Sequence, residues 1–121
     1  MRDRDAGDEV LLDLDGQVLV VDTKGQYWVQ FSIRRVPYAP DRPHGLKYSL
    51  TLHGQDGSRL VGFDNAHSVR ESHGPGGKSR GPFDHRHRMG TVRPYRFKNA
   101  VTLLEDFWAE VDNHLKERGV I

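Results

Sequence analysis

The five residues 84–88, DHRHR, bring two histidines and two arginines together in one short stretch of the chain. Histidine exchanges protons near neutral pH because its unperturbed pKa is about 6.5. Arginine stays charged and forms bidentate hydrogen bonds with phosphate oxygens. Cleaving RNA without a metal requires a base for the 2′-hydroxyl, an acid for the 5′-leaving oxygen and a cation for the phosphorane oxygens. These two residue types supply all three, so the stretch indicates phosphodiester chemistry.

The backbone of this stretch decides which side chains can work together. In an extended strand His85 and His87 project from one face and Arg86 and Arg88 from the other, whereas a turn brings Arg86 forward. We predict the two histidines as the acid–base pair. The predicted nucleic-acid-binding residues are basic and lie in or around the same stretch: Lys78, Arg80, Arg86, Arg88 and Arg93.

Three further side chains are candidate members of the same catalytic site. His67 adds a third titrating group, and Tyr95 adds a base stacker or a hydroxyl donor. Asp64 is a candidate to orient a histidine. The sequence Asp64-Asn65-Ala66 is also typical of a turn that ends a strand, because Asp and Asn side chains hydrogen-bond nearby backbone. Both readings of Asp64 stay open.

A zinc site is the alternative use of the same histidines. Neutral imidazoles at i and i+2 can coordinate zinc on one face, and the candidate ligands are His67, His73, His85 and His87. The chain has no cysteine and no fixed carboxylate partner for such a site, so we expect no cofactor. The remaining histidines lie outside this cluster and are expected at the surface: His44, His53 and His114.

The distribution of charge along the chain also singles out this region. The net charge is only +1, from 18 basic and 17 acidic residues. The opening and the final segment are rich in acids, whereas residues 78–98 hold seven basic residues with Asp84 as the one acid. This basic zone suits phosphate or an acidic partner. The alternative is a solvated, partly disordered loop.

Alternating apolar residues predict strands around the basic zone. Residues 10–22 carry Asp15-Gly16 between two apolar runs, which predicts a hairpin that turns there. Period-2 alternation in residues 27–33 and 46–52 predicts two strands with one buried face. A turn at residues 55–58 leads into residues 59–63, and residues 84–89 are a candidate for a further short strand.

The period changes to that of a helix after residue 98. An apolar stripe from Ala100 to Leu115, in which Phe107 and Trp108 are expected in the core, predicts an amphipathic helix over residues 99–118. Asn99 is its predicted N-cap and Gly119 its stop. The predicted fold is α+β: an antiparallel β meander of five to six strands packed by this one long C-terminal helix.

Length and composition limit the class of protein. A chain of 121 residues predicts one domain, with residues 1–9 flexible and residues 66–83 a long mobile loop. The absence of cysteine fits a reducing cytoplasm. We find no apolar run near the roughly 18 residues of a membrane span and no signal-peptide centre. We therefore expect a cytoplasmic protein with no membrane partner.

Several motifs in succession resemble the TumE family of toxins from toxin–antitoxin modules. They are GFDNAH, DHRHRMG, RPYRF and LLEDFWAEVDNHL, and they cover roughly the second half of the chain. The positions that match the family pattern are Asp64, Asn65, Ala66, His67, His85, His87, Pro94 and Tyr95. Two features depart from that pattern: the spacer between DNAH and HRH is longer and richer in glycine, and Asp84 stands where a basic residue or histidine is common.

The resemblance implies a toxin encoded beside a DNA-binding antitoxin, and several small toxins of this kind cut RNA. Three hypotheses follow: a metal-independent endoribonuclease, a metal-dependent nuclease or zinc-stabilised domain, and a non-catalytic module that binds protein or nucleic acid. The predicted partners are the cognate DNA-binding antitoxin and an RNA substrate. An exposed edge strand also permits a homodimer.

Overall fold

The computed structural model describes residues 3–37, 45–65 and 84–121. In chain order they form α1 Asp3–Asp13, β1 Val18–Val20, β2 Trp28–Arg35, β3 Leu46–His53, β4 Arg59–Asp64, β5 His85–Arg88, β6 Thr91–Pro94 and α2 Ala100–Glu117. The six strands lie side by side in that order, and each neighbouring pair is antiparallel. The predicted α+β fold, a meander packed by a long C-terminal helix, is confirmed.

The core lies between one face of the sheet and helix α2. Alternation in β2 buries Val29, Phe31 and Ile33, because successive side chains of a strand point to opposite faces. Phe107 of α2 meets this face edge-on, with its ring centroid 5.9 Å from Phe31 and 6.1 Å from Phe63. Such edge-to-face contacts stabilise aromatic pairs beyond their buried area. The predicted core position of Phe107 is confirmed.

Both predicted ends of helix α2 are confirmed. The Asn99 side chain accepts a hydrogen bond from the Thr102 amide at 2.8 Å, which satisfies one of the free donors of the first turn. At the other end Gly119 takes a φ of +73°, and the Val120 amide donates to the Leu115 carbonyl at 2.8 Å. A left-handed residue followed by this backward bond is a common way to end a helix.

The predicted hairpin around Asp15-Gly16 is wrong, because the apolar run before it is helical. Residues 3–9, expected to be flexible, lie in helix α1 together with residues 10–13. A short apolar run does not separate helix from strand by its period; packing decides here. Leu11 is fully buried, and a Cβ at Gly7 would lie 3.5 Å from Ala100 Cβ, so α1 lies close to the start of α2.

The hairpin that does form joins β1 to β2 further along the chain. The Asp22 carboxylate accepts hydrogen bonds from the amides of Gln26 and Tyr27 at 2.8 and 2.9 Å, which holds the turn. Asp15 does not form this turn; its carboxylate accepts a hydrogen bond from the Ile33 amide at 2.8 Å. Strand β1 is an edge of the sheet, and all three of its residues are exposed.

The face of the sheet turned away from α2, called the polar face below, carries the chemically active side chains. Register aligns His85 with Asp64 and His87 with Gly62 across β4 and β5. The intervening Arg86 lies opposite Phe63 on the α2 side. The extended form of residues 85–88 therefore splits histidines from arginines. The predicted loop at 66–83 lies outside the described residues. Neither helix of the described ranges has the length and apolar character of a membrane span.

Candidate active site

The two predicted catalytic histidines lie together on the polar face. The ring centroids of His85 and His87 are 6.4 Å apart, with the ring planes tilted by 52°. His85 is only 6% exposed, and the His87 side chain is 15% exposed. Adjacent positions on one face of a strand produce this pairing. The rings therefore converge, as the extended form of this stretch requires.

A carboxylate and an arginine hold the ring of His87 from both sides. His87 Nε2 lies 2.8 Å from Asp64 Oδ2, and Arg59 Nη2 lies 3.2 Å from His87 Nδ1. Arginine has donors and no acceptor, so Nδ1 must accept this bond and Nε2 must carry the proton donated to Asp64. This network fits a neutral imidazole with a defined tautomer. We call Arg59, Asp64, His85 and His87 the His87 centre.

Gly62 makes room for Arg59 to reach His87. A Cβ at this position would lie 3.1 Å from Arg59 Cδ, closer than an ordinary contact, and 3.5 Å from its Nε. The stem of Arg59 therefore lies across the polar face, over the space that a side chain at Gly62 would fill. Arg59 Nη1 also approaches Asp64 Oδ2 at 4.0 Å. A glycine in a strand often marks such a close approach.

The surroundings of His87 favour the neutral ring. Burial lowers the pKa of His87, and the charges of Arg59 and His85 lower this pKa further, whereas Asp64 raises it. Removing the ring from water penalises its charged form, which is the main cause. A neutral imidazole near pH 7 is the form that can accept a proton. His87 therefore has the protonation state of a general base.

The predicted phosphate-binding arginines lie on the other face, toward α2. Arg86 is 3.9 Å from Glu110, and Arg88 is 3.5 Å from Glu110 and also donates to Glu117. Arg93 lies opposite Arg86 in the β5–β6 ladder and so shares its face. These side chains border a groove between the β5–β6 hairpin and α2. They lie on the face opposite the rings of His85 and His87, although His87 also borders this groove.

Tyr95 and Asn65 are built into the fold and do not join the His87 centre. The Tyr95 hydroxyl donates to Asp106 at 2.6 Å, and its ring packs edge-on against Phe63 with centroids 4.9 Å apart. Burial, followed by this hydrogen bond, raises the pKa of Tyr95. The Asn65 side chain accepts from the Tyr48 amide and donates to the Leu46 carbonyl, both at 2.8 Å. Asn65 thus pairs with the backbone of β3, not with its own turn.

Several candidates lie outside the described residues: His44, His67, His73, Lys78 and Arg80. Two of the four zinc candidates are among them. Within residues 3–37, 45–65 and 84–121, no three histidine or acidic side chains form a cluster able to hold a metal ion. The zinc alternative therefore depends on ligands from the rest of the chain.

The other histidines have different surroundings. His53 is partly buried, stacks on Trp28 with ring centroids 5.8 Å apart, and contacts the Thr51 hydroxyl at 2.9 Å. The expectation that His114 lies at the surface is wrong, because it is 3% exposed. It occupies the buried stripe of α2 with Val111 and Leu115. Helical spacing from Phe107 places it there.

Sequence reasoning missed Arg59. The turn at residues 55–58 identified the strand but not the direction of this first side chain. A register shift between Leu52 and His53 places Arg59 opposite His53, and a bulge of this kind re-aims side chains. The available signal was Gly62, an isolated glycine within a strand, which indicates close approach by a neighbouring group.

Fold and site together define an α+β protein whose antiparallel sheet holds a histidine–carboxylate–arginine centre on one face and is packed by α2 on the other. The model of one protein family, described as Toxin TumE, matches residues 8–115. The chain belongs to the TumE toxin family. No significant match was found among curated proteins or among solved structures.

Proposed function

We propose that this chain is the toxin of a toxin–antitoxin module and cuts RNA without a metal ion. The observation that carries the proposal is the His87 centre, in which a neutral histidine bonded to a carboxylate lies beside a second histidine and an arginine. General acid–base catalysis needs two titratable groups near one phosphodiester. Family membership supports the toxin role, and the geometry supports the chemistry.

The proposed reaction begins with displacement of Arg59 from His87. The RNA phosphate competes for the guanidinium, which binds phosphate oxygens through a charge-assisted fork. Nδ1 of His87 then accepts the proton of the 2′-hydroxyl, and the 2′-oxygen forms a bond to phosphorus. Asp64 stabilises the imidazolium through Nε2–H, as the carboxylate does in other histidine–carboxylate pairs.

The second half of the proposed step breaks the bond to the 5′-oxygen. His85, in its protonated form, donates a proton to this leaving oxygen, while Arg59 stabilises the negative phosphorane oxygens. The products are a 2′,3′-cyclic phosphate on one fragment and a 5′-hydroxyl on the other. The buried position of His85 at the strand start keeps its ring beside that of His87. Which further basic residues hold the RNA, including Lys78 and Arg80, stays a prediction.

The toxin assignment also implies a partner protein. A toxin family suggests an antitoxin, and we propose that this antitoxin binds DNA and is encoded beside the toxin. Homodimer formation and a cytoplasmic location stay predictions from the sequence. A purified complex of the two proteins would show the partner directly, and its absence after co-expression would contradict this part of the proposal.

The test compares histidine variants of the purified protein on a defined RNA. We expect His87→Ala and His85→Ala each to reduce the cleavage rate by about 10²- to 10⁴-fold. His53→Ala, which removes a histidine that contacts Thr51 and Trp28 outside the His87 centre, should retain activity. Circular dichroism shows that each variant is folded. Equal activity of His87→Ala and wild-type protein would overturn the proposal.

A chelator separates the metal-dependent alternative. Cleavage that continues in excess EDTA supports acid–base chemistry by the histidines alone, whereas loss of cleavage that zinc restores supports the metal site. A protein that binds RNA or antitoxin without cleavage in either condition supports the non-catalytic module. The three hypotheses therefore give three different results.

A further inference from the structure

A second cationic site lies on the opposite side of the β5–β6 hairpin from the His87 centre. A groove of about 610 Å³ separates the hairpin from helix α2. Arg88 and Arg93 border it on the strand side, and Glu110, Glu117 and Arg118 border it on the helix side. This volume lies in the range of small-molecule sites, about 300–1,000 Å³.

Two of the arginines in this groove are available for an anion. Arg88 contacts both Glu110 and Glu117. Within the described ranges, Arg93 and Arg118 form no ion pair with a carboxylate; Arg118 donates to Met89 Sδ at 3.9 Å. Both guanidinium groups belong to exposed residues. Among the described residues, the groove therefore offers two guanidinium groups that no direct ion pair neutralises.

A buried polar atom beside the groove also lacks a partner. His114 borders the groove and is 3% exposed, and its Nε2 has no hydrogen bond within the described part of the chain. Buried polar groups are nearly always hydrogen-bonded, so an unsatisfied one points to a missing partner. A ligand with polar groups beyond its phosphate can supply that partner after a small shift of the ring.

We propose that this groove binds the phosphate of a nucleotide-sized ligand through Arg93 and Arg118. Arginine forks match phosphate oxygens, while Glu110 and His114 provide hydrogen-bonding groups for the attached nucleoside. Met89 borders the groove, is exposed, and supplies an apolar contact. Two unpaired cations in a groove of this size suit one compact phosphate ester better than an extended acidic peptide.

The site goes beyond the proposed nuclease reaction and does not depend on it. His87 borders the groove, but both of its ring nitrogens are bonded to Asp64 and Arg59 on the polar face. Binding in the groove should therefore survive loss of the catalytic ring. For this reason the test uses the His87→Ala protein beside the wild type, so that failure of one proposal does not affect the other.

Calorimetric titration with adenosine 5′-monophosphate, with adenosine as the control ligand, tests the site. We expect the monophosphate to bind both the wild-type and the His87→Ala protein, and adenosine to bind each at least about ten-fold more weakly. Arg93→Gln and Arg118→Gln should each weaken binding of the monophosphate by a similar factor. Arg34→Gln, at an exposed arginine of strand β2, should not. No binding of the monophosphate at about 1 mM, or binding unaffected by Arg93→Gln and Arg118→Gln, overturns the proposal.

Two short RNAs distinguish the source of the phosphate. In the His87→Ala protein, in which cleavage is suppressed, a tetramer with a 5′-phosphate that binds better than its 5′-hydroxyl form, with the difference lost on adding Arg93→Gln, assigns the site to an RNA end. Binding of the mononucleotide alone assigns it to a free nucleotide. Binding of an acidic peptide in place of every phosphate ligand would contradict the site. The Nε2 resonance of His114 should shift on addition of the monophosphate, since it lies beside the groove.

Discussion

The proposed chemistry depends most on the imidazole ring of His87. Its Nε2 lies 2.8 Å from Asp64, and its Nδ1 accepts from Arg59 at 3.2 Å. In this state the base is neutral, and its lone pair accepts the bond from Arg59. In the proposed reaction a substrate phosphate draws Arg59 away from this lone pair, and the same arginine then stabilises the transition state.

The role of Asp64 gives the first prediction. Asp64→Asn removes the charge that favours the imidazolium and permits the wrong tautomer, so we expect cleavage to fall by about 10²- to 10⁴-fold. The pKa of His87 should also fall, because Asp64 raises it in the native protein. Kinetics and an NMR titration of the ring measure the two effects. Asp112→Asn, at an exposed position of α2, is the control, and equal losses in both variants would contradict the role.

Gly62 gives the second prediction. Gly62→Ala places a methyl group 3.1 Å from Arg59 Cδ, and the flexible arginine moves aside at little cost to the fold. Because Arg59 lowers the pKa of His87, we expect this pKa to rise in Gly62→Ala. An NMR titration of the His87 ring is the measurement. An unchanged pKa, with the protein folded, would show that Arg59 does not reach the ring in solution.

At the scale of elements, β4 and β5 position the His87 centre through register. Asn65 fixes this register at the end of β4, because its side chain bonds to the backbone of β3 at both Tyr48 and Leu46. A register shift of one residue would move every side chain of β4 to the other face. Asn65 therefore helps to position the His87 centre by fixing the register of β4.

The third prediction concerns Asn65. Asn65→Ala leaves two buried backbone groups unpaired, which costs about 1–3 kcal/mol each, so we expect the free energy of unfolding to fall by about 2–6 kcal/mol. Urea unfolding measures it. Gln30→Ala, at an exposed position of strand β2, should stay within about 0.5 kcal/mol of wild type. A similarly small change for Asn65→Ala would contradict the bridging role.

The elements differ in how well the sequence predicted them. Helix α2 and strands β2 and β3 were predicted because their alternation or stripe follows one period over at least seven residues. Helix α1 was not, because residues 10–13 are a short apolar run whose form is decided by packing against α2. The separation of histidines from arginines followed from strand geometry. The position of the Arg59 side chain could not be predicted in this way, because the direction of that side chain depends on a bulge.

At the scale of the whole molecule, the two faces of the β5–β6 hairpin have different partners. The polar face carries the His87 centre, and the other face borders the groove with α2. Two histidines have a lowered pKa mainly because of burial: His87, which faces Asp64, Arg59 and His85, and His114, which faces Arg88, Arg118 and Glu117. The stability of the folded state therefore depends on pH through both histidines.

The fourth prediction is the pH dependence of stability. A lowered pKa in the folded state means that the unfolded chain binds more protons below the ordinary histidine pKa of about 6.5. The stabilisation is present above this pH and is lost as pH falls through the lower folded pKa values. We expect His114→Leu to lose less stability than wild type between about pH 7 and pH 5. Urea unfolding across this range checks it, and equal losses would exclude a contribution from His114.

The most direct test of the account is chemical analysis of the RNA ends made by the purified protein in excess EDTA. We expect fragments with 2′,3′-cyclic phosphate and 5′-hydroxyl ends from wild-type protein, and none above background from His87→Ala. Fragments with 5′-phosphate ends, or cyclic ends made equally well by His87→Ala, would contradict it.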